Sequence, residues 1–337
     1  MRFIKTADNP NPEPLIDYNQ HRYPDNQYKE LLYTIQEKGY QNISGMDDTH
    51  ICFDDGYLMR FNLENGFPLI TERDLMRASS DEVIANYKSD PNLRPVTGPL
   101  KQAIGEILAF INGARTQTEL EDFGCKNFWL PWTVGLEAER KANKRGLDVG
   151  DLGPGSYGVA FHDFPTAEGE TFNQFENLIA QIKDRPELKT HKVTSFIPQH
   201  SSRAPGRQQK ALIVPCHGDL HFHVDIQSDT MKLTHVQRSA DSTVGLPFNF
   251  VHYSLLLMIV GHVTGYRPTK LIHFLSDAQI YNRHQEMAEE LISRPVYPFP
   301  KLYIDQSITN IFDFRVEHFM IEEYYANAPI NMKGAAV

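Results

Sequence analysis

The chain has 337 residues, 41% hydrophobic and 23% charged, the composition of a globular protein with a substantial core. Its net charge of −10 excludes a general binder of nucleic acid or of anionic membrane surfaces, which needs basic excess to meet phosphates. Three widely spaced cysteines, Cys52, Cys125 and Cys216, suit a reducing compartment better than a disulfide framework. The N-terminal segment has no apolar signal region, and the longest apolar run, Leu255 to Val260, is far too short to span a bilayer. These features together point to a cytoplasmic enzyme or binding protein.

Residues 1–27, rich in Asn, Pro and Asp, read as an irregular leader, and residues 28–337 as one domain. YKELLYTIQEKG has helical spacing and stops at Gly39. THICFDDGYLMRFNL predicts two strands joined through Asp54, Asp55 and Gly56. The segment 98–113 predicts an apolar helix in which Glu106 is the one carboxylate. Gly, Lys, Arg, Ser and Pro make residues 136–156 and 198–210 loops, the second of them basic. In IVPCHGDLHFHVDI, Leu220, Phe222, Val224 and Ile226 alternate with His221, His223 and Asp225, so Cys216 is expected at the start of a half-buried strand. MKLTHVQRSAD reads as its antiparallel neighbour, and LPFNFVHYSLLLMIVGHVTG as a long buried helix closed by Gly265. KLIHFLSDAQIY reads as one further strand.

Two constellations carry chemistry. His217, His221 and His223 could meet a metal, but HxH is a common pattern in a chain with 14 histidines and no carboxylate pair completes it; no metal is expected. Cys216 is the stronger candidate. Arg238, in QRSAD, can place a fixed positive charge beside the thiol and raise its thiolate fraction. Asn249 in GLPFNF is either a helix N-cap or an amide presenting donor and acceptor to a heterocycle edge.

PCH, QRSAD, GLPFN, the long apolar helix, SDAQIY and the terminal INMKGAAV, together with MRFNLENGFPLIT and DLGPGSYG, strongly resemble the folate-dependent thymidylate synthase family in order and spacing. The resemblance runs from about Tyr28 to Val337. It implies an α+β fold, a large twisted mixed sheet with flanking helices that packs face to face in a homodimer. It implies that Cys216 is the nucleophile adding to ring carbon 6 of a pyrimidine nucleotide. Glu106 would manage proton transfers through ordered water, with Tyr157 its partner at the carbon 5 proton. Asp241 would hydrogen-bond the pterin of methylenetetrahydrofolate; Trp129 and Trp132 would line the folate cavity, and Arg73 belongs to the folate side. Asn249 would read the base edge, Tyr281 the deoxyribose, and Ser239 with Arg238 the phosphate.

The sequence departs from the family at its anion contacts. LKTHKVTSF puts Thr190, His191 and Lys192 where the family has an arginine pair reaching across the dimer. SGMDDTH places Met46 at a mobile-loop arginine, and Gln279 replaces a histidine beside the sugar. Other cations must then hold the phosphate, and Lys192, Arg203 and Arg207 are the nearest in sequence. The expected reaction is dUMP to dTMP. Pyrimidine nucleotide 5-hydroxymethylation is the alternative of the same chemistry; Asn249 weighs against a cytosine base and Trp129 against water capture. A non-catalytic nucleotide- or RNA-binding relative would need neither nucleophile, relay nor folate anchor. No DNA or membrane partner is expected.

Overall fold

The computed structural model describes residues 14–43, 49–76 and 93–330; Met46, the first part of the leader and the terminal residues 331–337 lie outside them. Residues 14–26 run without helix, held by Ile16, which is fully buried, and by Tyr18, whose hydroxyl donates to the Leu302 carbonyl at 2.8 Å. Helix α1, Gln27–Lys38, ends at Gly39 as expected and buries Tyr28, Leu31, Leu32 and Ile35.

The architecture is α+β, with the strands divided among several sheets rather than gathered into one. Strand β1 is Tyr40–Ile43, β2 Thr49–Phe53, β3 Tyr57–Asn62, β4 Lys192–Val193, β5 Asp219–Asp225, β6 Thr230–Gln237, β7 Ala240–Asp241, β8 Arg267–Leu275 and β9 Ala278–Tyr281. The main sheet has the order β3-β8-β6-β5-β4, with β8 and β6 parallel and every other pair antiparallel. A second sheet has the order β1-β2-β9-β7. Two sequence expectations are corrected here. The strands flanking Asp54–Asp55–Gly56 are not a hairpin, since β2 pairs with β1 and β9 while β3 pairs with β8. Gly56, at φ +79°, turns the chain from one sheet to the other in a conformation that side chains rarely adopt. KLIHFLSDAQIY is likewise two strands, β8 and β9, in different sheets.

On the covered face of the main sheet, Phe61, Leu271, Leu233, Leu220 and Phe222 pack beneath the long helix Leu246–Thr264. That helix is long and apolar enough to cross a membrane by length and composition, so the short-run argument from sequence does not hold. Yet 89% of its apolar window is buried inside the protein, and it is the core helix. Leu255, Leu256, Leu257, Ile259 and Val260 are fully buried, each such side chain contributing about 1.5–3 kcal/mol. Gly98–Ile111, numbered α2, packs beside it and carries Glu106 inward.

Residues 136–145 correct a further expectation. LEAERKANKR is a helix, α3 (Leu136–Arg145), with Glu137 and Glu139 in its first turn, Lys144 and Arg145 in its last, and Gly146 closing it in the left-handed region. The short helix Tyr157–His162, α4, follows the DLGPGS turn, and the core helix Leu246–Thr264 is α5.

Candidate active site

Cys216, Glu106, Tyr157, Arg238, Asp241 and Asn249 all line one cavity of 570 Å³. Ser239, Gln279, Tyr281, Trp129, Trp132 and Arg203 share it. These residues include ones from α2, the first residue of α4, the loop before β5, the segment from the end of β6 through β7, the first turns of α5, and β9. Lys192, Arg207 and Arg73 do not line it.

Cys216 does not begin a strand. It lies in the loop before β5, which starts at Asp219, and Gly218 between them takes φ +100°. A Cβ at Gly218 would fall 2.9 Å from both Phe161 and Ser195, so glycine lets the cysteine loop seat against α4. The Cys216 backbone N–H donates to the Tyr157 hydroxyl at 2.7 Å. Arg238 reaches back over the loop, donating through Nε to the Pro215 carbonyl (2.7 Å) and through Nη2 to the Val214 carbonyl (2.9 Å) and to Cys216 Sγ (3.3 Å). Burial pushes the Cys216 thiol up, and the Arg238 cation opposes that without overcoming it. Of the three cysteines Cys216 alone has a cation beside it; burial with the Asp277 carboxylate drives Cys52 to about 12, and burial drives Cys125 well up. Losing the cation should therefore raise the thiol further. In Arg238→Gln the pH midpoint for iodoacetamide alkylation of Cys216 should move alkaline by at least about one unit; an unmoved midpoint would show that the guanidinium only braces the loop.

Glu106 is 8% exposed, with one oxygen hydrogen-bonded and the other beside a histidine. Oε1 accepts from the Trp129 indole N–H at 2.5 Å, and Oε2 is 3.1 Å from His252 Nε2. The histidine is not aligned for a hydrogen bond there, and neither of its ring nitrogens has a partner among the described residues. His252 was missed from sequence, although it stands three residues after Asn249 and so shares its helix face. Burial holds the Tyr157 phenol well above its usual range, so it stays a neutral hydroxyl. Its ring stacks on His217 at 4.4 Å, and His217 Nδ1 meets the Tyr253 hydroxyl. His217 thus faces away from His221 and His223, whose rings lie 4.0 Å apart on β5. Among the described residues no three such side chains are grouped to hold a metal.

Asn249 is not a helix cap. Gly245 occupies the cap position of α5, and Asn249 sits a full turn inside, 6% exposed. A hydrogen-bond chain fixes its amide. The Gly218 backbone N–H can only donate, and it donates to His235 Nε2 at 3.0 Å. Burial pushes the pKa of His235 well down and that of His273 to about 3, so both rings are neutral. The His235 proton is therefore on Nδ1, donated to His273 Nδ1 at 3.3 Å, which leaves the His273 proton on Nε2 for Gln237 Oε1 at 3.1 Å. Gln237 Nε2 then donates to Asn249 Oδ1 at 2.9 Å and to the Ser239 carbonyl at 3.0 Å. Asn249 is left with its Nδ2 donors for the cavity. His235 and His273 sit side by side in the β6–β8 register, and the sequence signals of neither they nor Gln237 were read.

Asp241 Oδ1 accepts from the Thr243 hydroxyl and from the backbone N–H groups of Thr243 and Val244. Its Oδ2 is buried, 4.0 Å from His284 Nδ1, and has no hydrogen-bond partner among the described residues. A carboxylate oxygen left this way at a cavity wall is suited to an N–H donor of a bound heterocycle. The family model described as thymidylate synthase matches residues 96–336, more than half of the chain. The chain belongs to the thymidylate synthase family. The family uses a nucleotide and a folate co-substrate.

For this thymidylate synthase family member the expected anion contacts are only partly placed at the cavity. Lys192 lies on the edge strand β4, 3.7 Å from Asp219; Arg207 bonds the Gln199 carbonyl on the surface; His191 is fully buried against Gln181 and Pro186. Arg203 alone of the three expected phosphate cations lines the cavity. Arg73 is 1% exposed behind Val244 and Phe248, its Nη2 3.4 Å from the Val244 carbonyl, so it braces that wall of the cavity from behind and does not line the cavity itself. Gln279 is held in a ring of partners, donating to Ser239 Oγ and Asp277 and accepting from the Tyr281 hydroxyl at 3.1 Å. Sequence reading also missed Lys141 and Arg145, which reach the cavity from the unforeseen helix α3.

Proposed function

We propose that the protein methylates carbon 5 of a uracil nucleotide, dUMP to dTMP, with methylenetetrahydrofolate as co-substrate. The observation that carries this reading is the fixed amide of Asn249 in the same cavity as Cys216. When Cys216 Sγ bonds to carbon 6, the electron pair of the 5,6 double bond shifts toward carbon 5 and the carbon 4 oxygen. The Asn249 Nδ2 donors are suited to that oxygen, and Oδ1 keeps a lone pair for the ring N3–H. Arg238 favours the thiolate that starts the step and returns when the adduct breaks. Glu106, held by Trp129, is suited to accept the carbon 5 proton through water that the neutral Tyr157 hydroxyl helps to orient. Bound folate supplies the one-carbon unit and the hydride; the apolar wall of Trp129, Trp132 and Phe248 excludes water from that transfer.

A second reading, 5-hydroxymethylation, is favoured by His252, an imidazole beside Glu106 that has no hydrogen-bond partner among the described residues and is free to hold an attacking water. One assay separates the two. Incubation with dUMP, dCMP, UMP or CMP and the folate, followed by chromatography of the products, should give 5-methyl-dUMP; a hydroxymethyl product selects the second reading. Fluoro-dUMP with the folate should leave a stable adduct on Cys216 by mass spectrometry, and no adduct would defeat the uracil-methylation reading. A homodimer belongs to this proposal, its support being the uncovered face of the main sheet, where Leu58, Val236, Ile272 and Phe274 remain partly exposed.

A further inference from the structure

The cavity is asked to take two anionic substrates, yet the cation expected to meet them is mostly spent. Arg238 commits Nε and Nη2 to the cysteine loop. The other cationic side chains lining the cavity, among the described residues, are Lys141, Arg145 and Arg203. Lys141 and Arg145 stand at i and i+4 on α3, on one helix face, and Arg203 comes from the basic loop ahead of β5. None of the three has a carboxylate within 4.0 Å among the described residues, whereas Arg140, elsewhere on α3, pairs with Glu137 at 2.9 Å. Lys144 already complements the helix end from the solvent side, so the helix dipole does not require Arg145 to turn inward.

Arg145 is held in place without being satisfied. Its Nη1 donates to the Lys141 carbonyl at 2.8 Å, while its Nε is buried with no hydrogen-bond partner among the described residues. Burial and the nearby Arg203 both push its pKa down, the signature of a cation facing another cation with no anion between them. Arg203 is oriented in turn by Gln209, itself 2% exposed and tied to the Ala211 carbonyl at 2.9 Å. Like charges brought together this way repel unless a counter-charge binds.

We propose that Lys141, Arg145 and Arg203 form an anion subsite of the catalytic cavity that receives an oxyanion carried by a substrate. Two sources share that chemistry, the nucleotide's phosphate and the glutamate carboxylates of the folate. The proposal rests on the uracil-methylation reading for its substrates, but not for its charge argument. It places within a single chain an anion contact that the sequence pattern had assigned to Lys192, Arg203 and Arg207, and keeps only Arg203 of those three.

The test uses Lys141→Gln/Arg145→Gln and, separately, Arg203→Gln, with circular dichroism confirming the fold. Glutamine keeps a donor for the Lys141 carbonyl and removes only the charge. KM is measured for dUMP against deoxyuridine, and for monoglutamyl against triglutamyl folate. A rise of at least about tenfold for dUMP, with less than about threefold for deoxyuridine, identifies the phosphate. The same rise for the folate, larger for the triglutamyl form, identifies its carboxylates. An active parent whose variants change neither overturns the subsite. If the parent turns over no uracil nucleotide, the methylation reading fails, and titration with inorganic phosphate then decides the subsite: at least about tenfold weaker binding in the double variant supports it, equal binding overturns it.

Discussion

Cys216→Ser should lose at least about ten-thousandfold in kcat, roughly 5.5 kcal/mol of barrier, while still binding dUMP within about threefold of the parent. The alcohol is almost wholly protonated at neutral pH, and a cation at the distance of Arg238, which already fails to bring the thiol below its usual range, cannot generate the alkoxide. Binding should persist because the loop is held by groups the substitution leaves alone. The backbone N–H of residue 216 still donates to Tyr157, and Arg238 still bonds the Val214 and Pro215 carbonyls. Steady-state assays give the first quantity and equilibrium dialysis the second. Turnover near the parent's would remove covalent catalysis from the account, and loss of both turnover and binding would assign Cys216 to the loop's shape instead.

Cys216 was legible as a candidate nucleophile because its motif is local, and local signals served the fold well where the chain buries one continuous stripe or face. The core helix and its Gly265 stop, the Gly98–Ile111 helix and the β5–β6 pairing were all readable in this way. Alternation tells which residues share a face, but not which strand lies alongside. The Asp54–Asp55–Gly56 turn therefore looked like a hairpin while it carries the chain between sheets. Helix α3 was missed for the opposite reason. It buries only Ala138 and Ala142, so it has no apolar stripe to read, although its acidic first turn, basic last turn and Gly146 were legible signals. That miss hid Lys141 and Arg145 and left the phosphate cations to be sought by proximity in sequence. His235, His273 and His252 lie far apart in the chain and gain meaning only when sheet register and the turn of α5 bring them to Gln237, Asn249 and Glu106.

The buried chain ending at Asn249 also decides what Asn249→Asp should do. Aspartate keeps an oxygen for Gln237 Nε2, so the side chain should hold its place, and the Gln237 amide is fixed independently by its bond to the Ser239 carbonyl. What changes is the cavity-facing atom, from an amide donor to a carboxyl oxygen. Uracil then sets its carbon 4 oxygen against another acceptor, whereas the cytosine amino group finds one. A buried polar group left unpaired costs about 1–3 kcal/mol, and the substitution removes one pairing for uracil while creating one for cytosine. The ratio of kcat/KM for dUMP over dCMP should therefore fall by more than about a hundredfold, with most of the loss on dUMP. The measurement is kcat/KM for both nucleotides at one pH, with the melting temperature showing that the buried carboxyl has not loosened α5. A ratio that stays at the parent's value in a folded variant would mean that the base is read elsewhere, and that the histidine chain orients an amide the substrate does not touch.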